Sequence, residues 1–291
     1  MLLQQLVNGV LLGSTYALLA LGLTLVLGVL GLLNLAVGET MMVSAFVGLL
    51  LLTQLKAPFV VALGAAIAVG AAVSVTTYFV SFRAVKKEYF TAPILSTIGI
   101  GIVLSNLASR VWGSDSRSFP DALPFEPRRV GPVELSVGQV IIILLALALM
   151  GGLYAVVVRT RLGMAIRAIS ENPRTAALLG VPVERVILVT FALGGALVGA
   201  AGVLTGLVFH TINPYSGFDA TLRGMTVMVL GGLGNVPGAM LGGLLIGLVE
   251  TLSVAYVSAT FRDALVFLIL IGVLVFRPQG LLGTRTHEER V

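Results

Sequence analysis

Two acids stand inside long apolar runs: Glu39, directly after Gly38, and Glu250, in Leu248-Val249-Glu250-Thr251. An ionisable side chain in such a setting is costly and is expected to face a cavity or a partner group. Glu39, with Asn34 and Thr40 close by, suits a polar lining or brace. It equally suits the N-terminus of a broken helix, where a carboxylate is held by backbone N–H groups. Glu250 is a packing or gating candidate near one membrane face. Residues for hydrolytic or covalent chemistry are missing. No Gly-Lys dipeptide occurs, so the chain has no phosphate-binding P-loop, and there is no His-Glu-x-x-His. Gly-x-Ser-x-Gly is likewise absent. The histidines, His210 and His287, lie far apart, and there are no cysteines. Neither a metal cluster nor a thiol nucleophile is therefore expected. Gly99-Ile100-Gly101 lacks a third glycine and reads as helix packing.

A third candidate lies in the polar stretch 159–185. Leu162 to Ile169 reads as a short amphipathic helix. Asn172 then suits an N-cap, with Pro173 at the first helical position. Two turns follow, and Gly180 suits a left-handed stop that Pro182 enforces. The turns carry Ala176, Ala177, Leu178 and Leu179, followed by Val181. A small apolar ridge on a polar connection fits a groove in another protein. A helix lying on a membrane surface is the alternative.

The elements that must position these residues follow from composition. Of the 291 residues, 57% are hydrophobic and only 11% charged, and the mean hydropathy is +1.06. Soluble domains carry roughly 25% charged residues, so an ordinary soluble enzyme and a disordered chain are both excluded. The excess of +5 charges falls between apolar runs and reads as membrane topology, not as a nucleic-acid surface. Runs near the roughly 20 residues needed to cross a bilayer occur at 6–30, 35–55, 59–82, 92–112, 136–158 and 186–209. Two or three more follow near 218–233, 237–257 and 262–276. The expected fold is an all-α polytopic membrane protein, a bundle of eight or nine transmembrane segments with broken helices, forming one domain over 1–291. The 35 glycines suit close helix contact, and Gly9/Gly13, Gly195/Gly199, Gly202/Gly206 and Gly243/Gly247 each have the four-residue spacing of a small face. Met1 to Gln5 lack the basic start of a secretory signal, so the first run is expected to remain in the mature protein.

Three connections carry most of the charge: 83–90 with Arg83, Lys86, Lys87 and Glu88; 113–135; and 159–185 with Arg159, Arg161, Arg167, Arg174 and Arg185. The C-terminus adds Arg277, Arg285 and Arg290. The positive-inside rule then places 83–90, 159–185 and the C-terminus in the cytoplasm. The stretch 113–135 is extracytoplasmic, stiffened by Pro120, Pro124, Pro127 and Pro132. There Arg117, Arg128 and Arg129 are balanced by Asp115, Asp121, Glu126 and Glu134. It suits a contact with a solute-carrying protein or a plain solvated connector. Simple counting of crossings puts the N-terminus outside, and one broken segment would reverse that. Val26-Leu27-Gly28-Val29-Leu30-Gly31 recurs as Val229-Leu230-Gly231-Gly232-Leu233-Gly234. Asn34 follows the first copy, and Asn235 with Pro237 and Gly238 the second. Paired interruptions of this kind point to broken helices beside a midplane pathway. A chance match in a Gly/Leu-rich chain is the competing reading.

Taken in order, these residues resemble the branched-chain amino acid ABC-transporter permeases of the LivH type. Leu11 to Leu25 is similar to that family's first helix, and Asn34-Leu35-Ala36-Val37-Gly38-Glu39 to its Asn-Phe-Ala-His-Gly-Glu segment. Arg167 to Pro173 and Ala176 to Val181 resemble its cytoplasmic coupling segment, and Val229 to Gly243 and Phe276 to Leu281 complete the likeness. The resemblance implies an inner-membrane permease that carries no cofactor. ATP and Mg would be bound by two cytoplasmic ATPase subunits seated on Glu171–Pro182. A homologous second permease and an extracytoplasmic solute-binding protein would complete the assembly. Asn34 to Thr40 and Gly231 to Pro237 would border the pathway. Val37 and Leu35 depart from the family's His and Phe and bear on which solute passes. Amides, urea or other amino acids are the alternatives to branched-chain amino acids. A gradient-driven transporter, a passive channel and an intramembrane enzyme are the competing classes.

Overall fold

The computed structural model describes residues 2–84, 91–123, 127–130 and 133–283. Lys86, Lys87, Glu88, Pro124, Glu126, Pro132, Arg285, His287 and Arg290 lie outside them.

Helices α1 (Leu2–Leu30), α2 (Val37–Thr53), α3 (Phe59–Thr77, running on as a π turn over Tyr78–Arg83) and α4 (Ala92–Trp112) come first. Strands β1 (Arg117–Ser118), β2 (Pro127–Val130) and β3 (Val133–Ser136) follow. Then come α5 (Val137–Arg159), α6 (Arg161–Glu171), α7 (Pro173–Leu178) and α8 (Val183–Phe209). After β4 (Thr211–Ile212) the chain ends in α9 (Ser216–Gly231), α10 (Val236–Tyr256) and, beyond a 3₁₀ turn, α11 (Arg262–Phe276). Each of the nine apolar runs forms a helix. Among the described residues, seven helical stretches are long and apolar enough to cross a membrane. The other two, α2 with 17 residues and α9 with 16, reach only about 24–26 Å, short of a hydrocarbon core of about 30 Å.

The all-helical expectation misses two antiparallel ribbons. β2 pairs with β3, and β1 pairs with β4, so that Arg117 stands opposite Ile212. The strands are too short for a periodicity signal. Ser136 closes the β2–β3 ribbon and opens α5 with a capping box: its Oγ accepts from the Gln139 backbone N–H at 3.1 Å, and the Gln139 side chain accepts from the Ser136 N–H at 3.2 Å.

α1 is buried on nearly all sides, and its largest interface is with α10. These two helices meet backbone to backbone. A Cβ at Gly247 would overlap the Gly13 backbone, and one at Gly13 would come within 2.7 Å of the Gly243 carbonyl. α3 meets α8 in the same way through Gly70, Gly195 and Gly199. Lipid offers no hydrophobic drive between helices, so this close approach is what holds the pairs together. Replacing Gly247 by valine is expected to cost about 1–3 kcal/mol and to lower the melting midpoint of the detergent-solubilised protein. At Gly272 in α11 a Cβ meets nothing within 4 Å. Gly272→Ala should therefore leave the midpoint unchanged or raise it, alanine being the better helix former by up to about 1 kcal/mol.

Outward faces of α4, α5 and α11 present Leu95, Ile102, Leu107, Leu144, Leu268 and Val275. Such apolar faces need lipid or another apolar helix against them. At one end, Gln4 exchanges two hydrogen bonds with the Glu134 backbone, 3.0 and 2.9 Å long. The start of α1 and the 113–136 connection therefore share that end. At the other end, Leu281 and Leu282 donate to the carbonyls of Leu230 and Gly231. A cluster of Val26, Val29, Tyr78, Phe82, Ile166, Ile169 and Ala176 seats α6 and α7 there. The first residues of the chain and its last described residues thus lie at opposite ends of the bundle.

Candidate functional site

At the α6–α7 end, the local rules read from sequence produce a projecting knob. Ile166 and Ile169 of α6 face the bundle while Arg161, Arg167 and Ser170 face away. Thr160 caps α6 by accepting from the Gly163 N–H. Asn172 is extended, and its Oδ1 accepts from the N–H groups of Arg174 and Thr175 at 3.0 and 3.1 Å. Pro173 needs no donor partner at the first helical position. Gly180 takes a φ of +84°, the left-handed stop that a side chain disfavours. Ala176 is buried against the seat, whereas Leu178 is 88% and Leu179 80% exposed. Arg83 and Glu184 clasp the ends of α3 and α8 beside it at 2.7 Å. A cavity of about 560 Å³, lined by Leu30, Tyr78, Phe82 and Pro173, opens between knob and bundle.

Both helix breaks lie where the repeat places them, and each is closed by its own asparagine. Asn34 Oδ1 accepts from the Ala36 N–H at 3.1 Å, and Thr40 Oγ1 donates to the Ala36 carbonyl. Leu35 N–H donates to Thr97 of α4, and Gly38 N–H to Thr221 of α9 at 3.0 Å. Val37 is buried beside Gly22, Gly194 and Val198. Glu39 is buried next to Gly101, and its Oε2 has no hydrogen-bond partner. In the second break, Gly232 and Gly234 have φ of +115° and +75°. Asn235 caps α10 by accepting from the Gly238 N–H at 2.8 Å and donates to the Leu282 carbonyl at 2.7 Å. Pro237 sits in the first turn of α10, and Gly231 packs on Gly238. The two repeat copies meet at Gly28 and Gly234, 3.7 Å from a Gly28 Cβ to the Gly234 carbonyl. Beyond that contact the breaks face different partners: Asn34 and its neighbours meet α4 and α9, while Asn235 meets the C-terminal segment. Asn235→Ala is expected to cost about 1 kcal/mol of cap energy and to speed amide exchange in the first turn of α10.

Sequence reasoning missed a charged cluster at the other end. Tyr16 in α1 donates its hydroxyl to Glu250 Oε1 at 3.1 Å and accepts from the Arg223 guanidinium at 2.7 Å. Arg262 pairs with Glu250 at 3.2 Å and with Asp263 at 3.3 Å. Glu250 is thereby a tie between α1, α9, α10 and the start of α11. The cluster borders a cavity of about 290 Å³ that also takes in Leu19, Met41, Phe209 and Asp219. The available signal was Asp219-x-x-x-Arg223: two charges of opposite sign, one turn apart, in the run that becomes α9. Among the described residues, no group of three or more His, Asp or Glu side chains is placed to hold a metal ion.

Residues 5–274 match the family model described as "Branched-chain amino acid transport system / permease component". The chain belongs to this permease family. It is 37% identical over 301 residues to the high-affinity branched-chain amino acid transport system permease protein BraD of Pseudomonas aeruginosa, covering 99% of this chain and 98% of the relative. To the permease protein LivH of Escherichia coli it is 38% identical, covering 99% and 97%. The probable LivH of Methanocaldococcus jannaschii is 30% identical, covering 95% and 91%. No solved structure matches the chain. The permease match takes in both helix breaks, the knob and the charged cluster.

Proposed function

We propose that this chain is the membrane-spanning subunit of an ATP-driven importer that moves branched-chain amino acids into the cell. The observation that carries the reading is the match to BraD and LivH permeases along nearly the full length of both partners. In this reading the chain hydrolyses nothing itself. Two cytoplasmic ATPase subunits, with ATP and Mg, seat on the knob formed by Glu171–Pro182. A homologous second permease packs on the apolar outer faces. A solute-binding protein delivers the amino acid on the side of the 113–136 connection. The α6–α7 end is cytoplasmic, and so is the C-terminus. The clustering of Arg83, Arg159, Arg161, Arg167, Arg174 and Arg185 around that end supports this orientation, as does the pairing of Leu281 with Leu230.

Asn34 to Thr40 and Gly231 to Pro237 border the path in this proposal. Asn34 acts by accepting from the Ala36 N–H in the first break and Asn235 by capping α10 in the second, and Glu39 supplies a polar group beside the first break. A path that is mostly apolar between the breaks holds its solute weakly there, which leaves selection of the solute to the binding protein. The test is reconstitution of the chain with its second permease, the ATPases and the binding protein in proteoliposomes. Uptake of labelled leucine should require ATP on the knob side and binding protein on the other. Uptake that follows a proton or sodium gradient without ATP would replace the proposal with a secondary transporter. Competition by urea or amides in place of leucine would reassign the solute.

A further inference from the structure

We infer that the cavity bordered by Asp219, Arg223 and Arg262 is a transient binding site for a zwitterionic α-amino acid on its way through the permease. The inference rests on the importer reading and gives it a specific place in the bundle.

The cavity of about 290 Å³ stands at the small end of ligand pockets, which run to roughly 300–1,000 Å³. That gives room for a solute of amino-acid size. Its charges come in both signs. Arg223 and Arg262 share the two acids Glu250 and Asp263, so those four groups balance. Asp219 lines the same cavity, is exposed, and among the described residues has neither a hydrogen-bond nor an ion-pair partner. One acid is therefore left without a counter-ion, and an ammonium group supplies it. One helical turn further along α9, about 6 Å away, is Arg223. Its contacts to Glu250 and Asp263 are long, at 3.7 and 3.8 Å, and a guanidinium has five N–H donors in a planar fork. That fork remains able to take a carboxylate, with Arg262 beside it in the wall. An α-amino acid carries its two charged groups on one carbon, so a carboxylate acceptor and a guanidinium one turn apart accommodate both.

The rest of the wall fits the remainder of such a molecule. Leu19, Met41, Phe209 and Ile212 come from α1, α2, the end of α8 and β4, and give an apolar surface to an aliphatic side chain. The cavity also reaches the first break. Met41 lies in the opening turns of α2, and Ala220 lines the cavity directly beside Thr221, whose hydroxyl receives the Gly38 N–H. A solute held here rests against the start of a half-helix and can be passed inward by movement at that point.

The test uses photo-leucine, the diazirine analogue, on the complete assembly in lipid nanodiscs, with labelled positions read by mass spectrometry. Label is expected on Met41, Phe209 or Ile212, reduced at least fivefold by excess leucine and unaffected by leucinol, which lacks the carboxylate. Asp219→Asn should lower the labelling about tenfold, the effect of one lost charge-assisted contact. Asp219→Glu, which keeps the charge, should restore at least half of it, which separates loss of the ammonium partner from misfolding. If wild type imports leucine with ATP while no cavity residue is labelled, or if Asp219→Asn labels as wild type does, the site is wrong and the importer reading stands. If the assembly hydrolyses ATP without moving leucine, both fall together.

Discussion

Changing Leu178 and Leu179 together to aspartate is expected to reduce ATP-driven leucine uptake to below a tenth of wild type while the permease itself stays folded. Both side chains are almost fully in solvent, at 88% and 80% exposure, so the bundle loses no packing with them. What is lost lies in the proposed partner. Full burial of one leucine in a groove contributes about 1.5–3 kcal/mol, and each 1.4 kcal/mol is a factor of ten in affinity. Two leucines removed and two carboxylates to be desolvated weaken docking by at least a hundredfold. The ATPase should then fail to co-purify with the permease, and the permease alone should keep its melting midpoint. Ala176→Asp is the contrasting change. Ala176 is buried in the seat that holds the knob, so its loss should lower the midpoint as well as the uptake. Normal uptake by the double aspartate variant would show that nothing productive grips the ridge.

Glu250→Ala should cost roughly 3 kcal/mol of stability, the low end of the range for breaking one partner of a buried ion pair. The low end applies because the guanidiniums left behind keep about a quarter of their surface, 26% for Arg223 and 29% for Arg262. Tyr16 loses its acceptor, and two arginines lose the group that brings α9 and α11 to α10. Thermal unfolding of the solubilised protein checks this directly. Combining Glu250→Gln with Arg262→Met should recover part of the loss, since both charges of that pair go together and the amide oxygen can still accept from Tyr16. A single Glu250→Ala variant that melts as wild type does would remove the tie from the account of the fold.

Legibility in the sequence tracked the range of the forces involved. The knob was readable because its signals are local: Asn172, Pro173 and Gly180 act on their nearest neighbours, and the structure puts the cap and the left-handed stop where those residues stand. The nine apolar runs were readable because lipid imposes composition and length on a helix. Ends shifted by a few residues, as in α8, which starts at Val183 and not at 186. The glycine pairs announced close contacts, but not which helix would meet which: nothing in Gly9-x-x-x-Gly13 names α10. The β1–β4 ribbon and the Tyr16 contacts of the cluster around Glu250 depend on residues far apart in the chain, such as Arg117 with Ile212 and Tyr16 with Arg223, and no periodicity reports them; the β2–β3 ribbon is local, but its strands are too short to show one. Glu39 was expected to brace or to line, and the structure gives it a buried carboxylate with one oxygen unbonded. Of the asparagines expected beside the path, Asn235 is occupied in capping α10 and Asn34 in accepting from the Ala36 N–H, bonds that reading them as interruptions of apolar runs did not specify.

α8 begins directly after the knob and runs for 27 residues without interruption to Phe209, in the wall of the charged cavity. At 1.5 Å per residue that is a rod of about 40 Å, long enough to reach from one face of a bilayer to the other. Gly194 and Gly195 fix its middle against α1 and α3, as a fulcrum fixes a beam. On the docking proposed for α7, a tilt imposed at the base is delivered to the far mouth by one stiff member, with no relay of side chains in between. The timing of solute entry at that mouth would then be set by nucleotide turnover on the opposite side of the membrane.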